Sequence, residues 1–326
     1  MIVTNIAGKF KTGREQRGFY MNGYEVCNLL GIKDYLKDGW DCIGIISGHG
    51  EVRIGKSVKA FQIASFCAWL LHGGWIDMEL VKIGNKTTWQ INKIINPKKP
   101  INFNLQENVI FNALELEKQS VALYNKYGKG QVLVYDEGRE GLEGARAMEN
   151  LNKIMADFFQ KCGYMGHVII IVLPNFFKLH EDYAVSRTLF LIDVFTDKNR
   201  KRGYFNFYNK KQKEMLYFLG KKRVGISNRY AAASETFWGR FTSWFPFDKK
   251  EYDNLKEESI KKKYKHRFEI IWKKQRDAAI YMVRKYSELP LHEIARELSV
   301  ICQYKLHERS ISRAISNITR EKEEDV

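Results

Sequence analysis

The sequence predicts an α/β protein with a parallel sheet, extended by a β-hairpin and followed by a small all-α C-terminal domain. Three observations predict it. Runs rich in Ile and Val, "CIGIIS" (42–47), "QVLVYDE" (131–137) and "HVIIIVL" (167–173), are separated by helical stretches, and strands alternating with helices build parallel sheets. From 188 the pattern alternates, "TLFLIDVF" and "GYFNFY" around the polar loop "TDKNRKRG", which is a hairpin signature. From about 254 the chain reads as helix alone. The expected division is 1–40, glycine- and charge-rich and without an assigned role, then 41–246 for the α/β domain and 254–326 for the helices.

Taken in order, a first helix is expected at 56–72, where Pro and Gly are absent. A second, at about 106–127, carries Val109, Ala113, Leu116, Val121 and Leu123 at near-helical spacing and reads as a crossover helix. A third is expected at about 142–162. The most apolar run, "HVIIIVLPNFF" (167–177), is broken by Pro174 and far short of the roughly 20 residues a bilayer needs. It reads as a buried parallel strand, and no membrane span is expected.

An apolar content of 44% in 326 residues is enough for a core, and a formal net charge of +16 favours a polyanionic partner, nucleic acid or an anionic membrane. Cys27, Cys42, Cys67, Cys162 and Cys302 are scattered, with no CxxC or His/Cys cluster. That argues against a disulfide framework or a zinc site and fits a reducing cytosol. The N-terminus has no apolar core of signal-peptide type, so a cytoplasmic location is expected.

The first strand runs into "GEVRIGKS" (50–57), in which Gly50, Gly55, Lys56 and Ser57 complete G-x-x-x-x-G-K-[ST]. Such a loop between strand and helix turns backbone N–H groups and a helix N-terminus toward phosphate oxygens. Gly50, Glu51, Val52, Arg53, Ile54, Gly55, Lys56, Ser57 and Val58 are therefore the expected nucleotide-binding residues. Lys56 would reach the β- and γ-phosphates, and Ser57 would ligate magnesium. ATP and Mg2+ are the expected cofactors. A working NTPase also needs a carboxylate on a neighbouring strand, and "QVLVYDE" ends in Asp136, expected at the magnesium-bound water, and Glu137, expected to polarise the attacking water. Asn175, at the carboxyl end of the third strand, either senses the γ-phosphate and orients the water or simply forms a turn after Pro174; the sequence leaves both open.

A complete Walker A motif, "VYDE" as Walker B, "IIIVLPNFFKL" and "FLIDVF…KRGYFNFY" together resemble the zonula-occludens-toxin-like branch of the FtsK/HerA ATPases, which includes phage morphogenesis and DNA packaging or transfer ATPases. The resemblance covers roughly 40–220 and is strongest over 131–208. It implies a RecA-like P-loop NTPase core with an extra strand beside the phosphate strand, a homo-oligomeric ring, often a hexamer, and ATP-driven movement of DNA. Filamentous-phage members carry a transmembrane helix after the ATPase domain; none is seen here, which favours a soluble motor or packaging enzyme. Ring ATPases commonly take an arginine from the neighbouring subunit. Arg139, Arg146 and Arg187 are candidates, Arg187 foremost because it is expected to begin the strand leading into the hairpin.

Between Lys198 and Arg223 there are ten Lys or Arg against one acid, Glu214. Lys198, Arg200, Lys201, Arg202, Lys221, Lys222 and Arg223 are the residues expected to touch the phosphates of double-stranded DNA. Interleaved Tyr204, Phe205, Phe207 and Tyr208 suit base stacking or, by strand alternation, core packing. Residues 261–285 hold ten more Lys or Arg against Glu269 and Asp277. Residues 289–318 read as helix, turn, helix, with Ile294, Ala295, Leu298, Ile311, Ala314 and Ile315 packed together and Arg309, Ser310, Ser312, Arg313 and Ser316 toward a groove. The first functional reading is an ATP-hydrolysing ring motor on double-stranded DNA. The alternative is a nucleotide-switched DNA-binding regulator or replication/partition protein, separated from the motor by whether Glu137 supports turnover. A terminase-like nuclease is disfavoured, because no acidic cluster is visible in the C-terminal part.

Overall fold

The computed structural model describes residues 2–4, 19–40, 42–49, 53–112, 115–136, 158, 163–286, 289–302 and 307–324. In chain order it begins with β1 (Ile2–Thr4), β2 (Phe19–Met21), α1 (Gly23–Leu30), α2 (Ile32–Lys37), β3 (Cys42–Gly48) and α3 (Lys56–Leu71). Next come β4 (Trp75–Ile83), β5 (Lys86–Ile95), α4 (Leu105–Asn108), β6 (Val109–Ile110), α5 (Leu116–Tyr127), β7 (Val132–Asp136) and β8 (Val168–Val172). Then follow β9 (Phe190–Phe195), β10 (Tyr204–Tyr208), α6 (Lys210–Lys221), α7 (Ile226–Tyr230) and β11 (Phe237–Arg240). The helices α8 (Lys249–Tyr286), α9 (Leu291–Cys302) and α10 (Glu308–Glu324) end the chain.

The main sheet runs β11–β10–β9–β3–β8–β7–β6. The strands from β9 to β6 are parallel, and β10 and β11 add antiparallel at one edge. Every residue of β3, β7 and β8 is buried, as parallel strands covered on both faces must be. Alternation divides the core in two. Ile43, Ile45, Leu133, Tyr135, Ile169, Ile171 and Leu191 pack toward α5, α6 and α7, and Ile46, Val134, Ile170 and Ile192 toward α3.

The added hairpin forms as expected, with Tyr204 opposite Phe195 and Tyr208 opposite Leu191. Asp197 closes its turn by accepting from the N–H groups of Asn199 and Lys201 at 2.9 and 2.7 Å. Phe205, Phe207 and Tyr208 are buried in the core, so they offer no stacking surface. The expected helix over 106–127 is instead interrupted. Val109 and Ile110 pair in parallel with β7, and Asn108 Nδ2 donates to Val132 O at 2.8 Å, so β-branched residues suited to a strand extend the sheet where a continuous helix would have left its edge bare. The helix expected at 142–162 lies, apart from the helical residue 158, outside the described residues.

Residues 59–70 of α3 are all buried. The sheet covers one side, and α1, the β4–β5 hairpin and the segment 241–247 cover the rest. Gln62 tethers that segment, donating to Thr242 O and Trp244 O at 2.8 and 3.0 Å. One charge is buried with the helix: Lys59 Nζ sits 2.6 and 2.7 Å from the two carboxylate oxygens of Glu25 on α1 and 3.9 Å from the centre of the Phe205 ring. Burial pulls the Lys59 amine below its ordinary range, and the Glu25 carboxylate opposes that pull.

The chain forms two compact units, 1–256 and 257–326. In the second, Ile280, Ile294, Ala295, Ile311 and Ala314 make a small core, with Leu291, Leu298 and Ile315 packed on it. All six apolar residues expected to join the last two helices belong to it. Among the described residues, no helix is long and apolar enough to cross a membrane.

Candidate functional site

The carboxyl ends of parallel strands gather loops that can bind ligands, and here they gather most of the residues singled out by motif. Gly50, Glu51, Val52 and Glu137, and the arginines Arg139 and Arg146, lie outside the described residues. The rest of the loop is in view. Arg53 and Gly55 have φ of 62° and 106°, the left-handed region that lets the chain reverse between β3 and α3. Ile54 is buried against the end of β3, where a Cβ on Gly48 would stand 2.5 Å from its Cδ1. That same Cβ would be 3.5 Å from Lys56 Cδ, so the lysine stem folds back over the strand end.

At its N-terminus α3 has Gly55 as cap, with no side-chain cap bond and no acid in the first turn. The leading N–H groups of a helix of this length carry a partial positive charge suited to an anion. Ser57, in that first turn, donates from Oγ to Asp136 Oδ1 at 3.1 Å across 79 residues of sequence. The structure thus brings together the two residues expected to serve a metal. It corrects one detail: β7 is not the neighbour of β3, because β8 lies between them. Ser57 and Asp136 meet because the start of α3 reaches across the sheet to β7.

Asp136 is buried, and its other oxygen, Oδ2, accepts from Tyr252 Oη and from Lys256 Nζ, the latter at 3.0 Å. Burial and the Asp136 charge push the Tyr252 hydroxyl far above its ordinary range, so it stays a donor. Serine and carboxylate oxygens 3.1 Å apart suit magnesium, which takes one or two protein oxygens and fills its octahedron with water and substrate phosphate. A cage made by the protein alone would need more, and among the described residues no group of three His, Cys, Asp or Glu is placed to hold a metal.

Asn175, half-buried beyond β8, accepts from the N–H of Phe177 at 3.0 Å through Oδ1 and caps a short 3-10 turn at 176–178. Its oxygen thus has the turn-forming role. Arg187 is exposed and ends a π-helical turn at 182–187, three residues before β9 begins. It does not begin the strand, because Thr188 leaves that turn with its Oγ1 bonded back to Ala184 O at 2.9 Å.

A second polar group lies on the α6–α7 side of the sheet and carries no motif. His49 Nε2 is 3.0 Å from Oδ2 of the buried Asp193, and its ring stacks on Tyr230 at 4.7 Å. Tyr230 Oη bonds Ser47 Oγ at 2.7 Å and accepts from the Phe176 N–H at 3.3 Å. Burial raises the Asp193 carboxyl above its usual range, against the pull of His49 and the Lys56 charge. Together with Asn206, Tyr208, Ser234 and Glu235, His49 and Tyr230 line a cavity of about 370 Å³. The signal in the sequence was Asp193 itself, a single acid inside "FLIDVF", since a buried charge without a partner is costly.

Of the basic residues, Lys198, Arg200, Lys201 and Arg202 are exposed on the β9–β10 turn, and Lys221, Lys222 and Arg223 are exposed after α6. Gly220 lies against Phe177, beyond the carboxyl end of β8, so both groups emerge at the edge of the sheet that holds Ser57. Two of the ten basic residues serve the fold. Lys213 is buried, donating to Val185 O at 3.0 Å and to Thr188 Oγ1 at 2.6 Å, and burial pushes its amine down to about 7. Arg223 donates to Asn228 O and Ala231 O at 3.3 and 3.0 Å. In the second unit Arg309, Ser310, Ser312, Arg313 and Ser316 are all described and exposed.

No protein-family model, curated protein or solved structure matches the chain.

Proposed function

We propose that the chain is a P-loop ATPase of the FtsK/HerA kind that resembles the zonula-occludens-toxin-like branch, works as a ring of subunits and moves double-stranded DNA. The observation that carries the reading is the bond between Ser57 and Asp136, residues of two separate motifs that meet where a helix without a side-chain cap bond begins. In this reading the N–H groups from Gly50 to Val58 hold the phosphates. Lys56 neutralises the β- and γ-oxygens, and Ser57 and Asp136 hold magnesium, which would offset charge on the transferring phosphoryl group. Glu137, next in the chain, takes the proton of the attacking water. Asn175 keeps its amide nitrogen for the γ-phosphate side, and the exposed Arg187 suits supply from a neighbouring subunit.

Hydrolysis of ATP by the full chain should rise when double-stranded DNA is added, with mass measured in ATP defining the ring. Nucleotide binding with turnover that DNA leaves unchanged would favour the regulator reading instead, which draws its support from the packed helix pair α9–α10 and its exposed Arg309 and Arg313. The DNA surface has its own test. Reversing Lys201, Arg202, Lys221 and Lys222 to Glu should weaken binding equally on unrelated sequences and flatten its salt dependence, by about 0.9 log unit per log unit of salt for each phosphate no longer neutralised. Affinity that is unchanged, or reduced on one sequence only, would remove this surface from the motor.

A further inference from the structure

Asp136 sits at the carboxyl end of a buried strand, 1% exposed, and a carboxylate there must be compensated. In this structure the compensation comes from α8. Tyr252 and Lys256, one helical turn apart and so on one face, both reach Asp136 Oδ2, and Lys256 Nζ also donates to Tyr252 Oη at 2.8 Å. The two are not held alike. The Tyr252 ring is wedged among Phe61, Phe111 and Phe245, with centroids 5.5, 5.7 and 5.2 Å away. The Lys256 side chain is 24% exposed, a compact charge on a flexible four-carbon stem with a short path to water.

We infer that Lys256 is a competitor for the divalent cation at Asp136, so that magnesium must displace its ammonium before the nucleotide is held tightly. The inference rests on the assignment of Ser57 and Asp136 to a magnesium–nucleotide site and adds a determinant of its metal requirement. The physical reason is charge. Oδ1, turned toward Ser57, is the oxygen a metal would use, while the ammonium lies 3.0 Å from Oδ2 of the same carboxylate. A divalent ion and an ammonium at opposite oxygens of one buried carboxylate repel strongly where the effective dielectric is low. Tyr252 is neutral and anchored, so it can keep its bond to Oδ2 in either state, while the flexible Lys256 stem can swing out.

The test is a magnesium titration of the full chain with a fluorescent ATP analogue, reading the magnesium concentration at half-maximal binding. Lys256→Gln should lower that midpoint by about tenfold, near the low end of couplings between two bound ligands. Lys256→Met, which keeps an apolar stem against the Phe111 and Tyr252 rings, should shift it the same way. Lys256→Arg, which keeps the charge, should leave the midpoint near that of the parent. Magnesium-dependent binding in the parent with an unmoved or raised midpoint in Lys256→Gln and Lys256→Met overturns the inference and leaves the nucleotide site standing. A parent that binds no nucleotide, or binds it as well after Lys56→Ala, overturns the site and the inference with it.

Discussion

Lys56→Ala is expected to weaken ATP binding by about a hundredfold or more, equivalent to about 2.7 kcal/mol, whereas Glu137→Gln should bind ATP as the parent does and hydrolyse it about 10²–10⁴-fold more slowly. The two variants separate because the two groups act at different stages. The Lys56 stem lies over Gly48 at the end of β3, and the phosphates of a bound nucleotide are charged before any reaction. Its bonds to them are charge-assisted and therefore among the stronger ones a protein makes. Glu137 acts on the water alone, so its loss is felt only in the transition state. Equilibrium binding and single-turnover hydrolysis measured side by side give the two numbers. Parent-rate hydrolysis in Glu137→Gln would move the base to another residue.

Glu25→Gln and Lys59→Met should each destabilise the first unit by about 3–5 kcal/mol, because either change leaves a buried partner without its counter-charge. The ammonium lies between both carboxylate oxygens and over the Phe205 ring. With side chains 1% and 0% exposed, the pair is closed to solvent that could take over from a missing partner. The double variant Glu25→Leu with Lys59→Met should recover much of the loss, since apolar groups of similar volume remove both desolvation costs at once. Urea denaturation followed by far-ultraviolet circular dichroism measures all three. Losses below about 1 kcal/mol, as for exposed pairs, would mean that water reaches this site. Lys59 is only three residues from Lys56, so these variants also show whether the start of α3 tolerates a disturbed core.

What was legible in the sequence was what is local. Gly55, Lys56 and Ser57 follow a run of β-type residues and open a helix free of Pro and Gly, and in the structure Gly55 caps α3 while Lys56 and Ser57 begin it, just after β3. "FLIDVF" and "GYFNFY" alternate, and they pair in register. What was not legible depends on partners far along the chain. Val109 and Ile110 carry too short a strand signal to interrupt a helical period, and only their pairing with β7 makes them a strand. β11 exists because Phe237–Arg240 finds β10. Tyr252 and Lys256 lie in "KKEYDNLKEES", a charged stretch with nothing to announce that it reaches Asp136. The β4–β5 hairpin is different, because its signal was present: Gly84 and Asn85 separate two runs rich in Ile, Trp, Val and Thr, the chemistry of a tight turn. Lys213 shows the converse limit. Its charge counts toward a basic surface until Val185 O and Thr188 are seen to enclose it.

Whether Ser57 and Asp136 form a magnesium–nucleotide site is decided by calorimetric titration of the full chain with a non-hydrolysable ATP analogue, in magnesium and in EDTA, for the parent and for Asp136→Asn. One nucleotide per chain is expected, bound more tightly in magnesium than in EDTA, with most of that difference abolished in Asp136→Asn because the neutral amide no longer holds the ion. Nucleotide binding that is absent from the parent, or that is indifferent both to magnesium and to Asp136→Asn, would contradict that site.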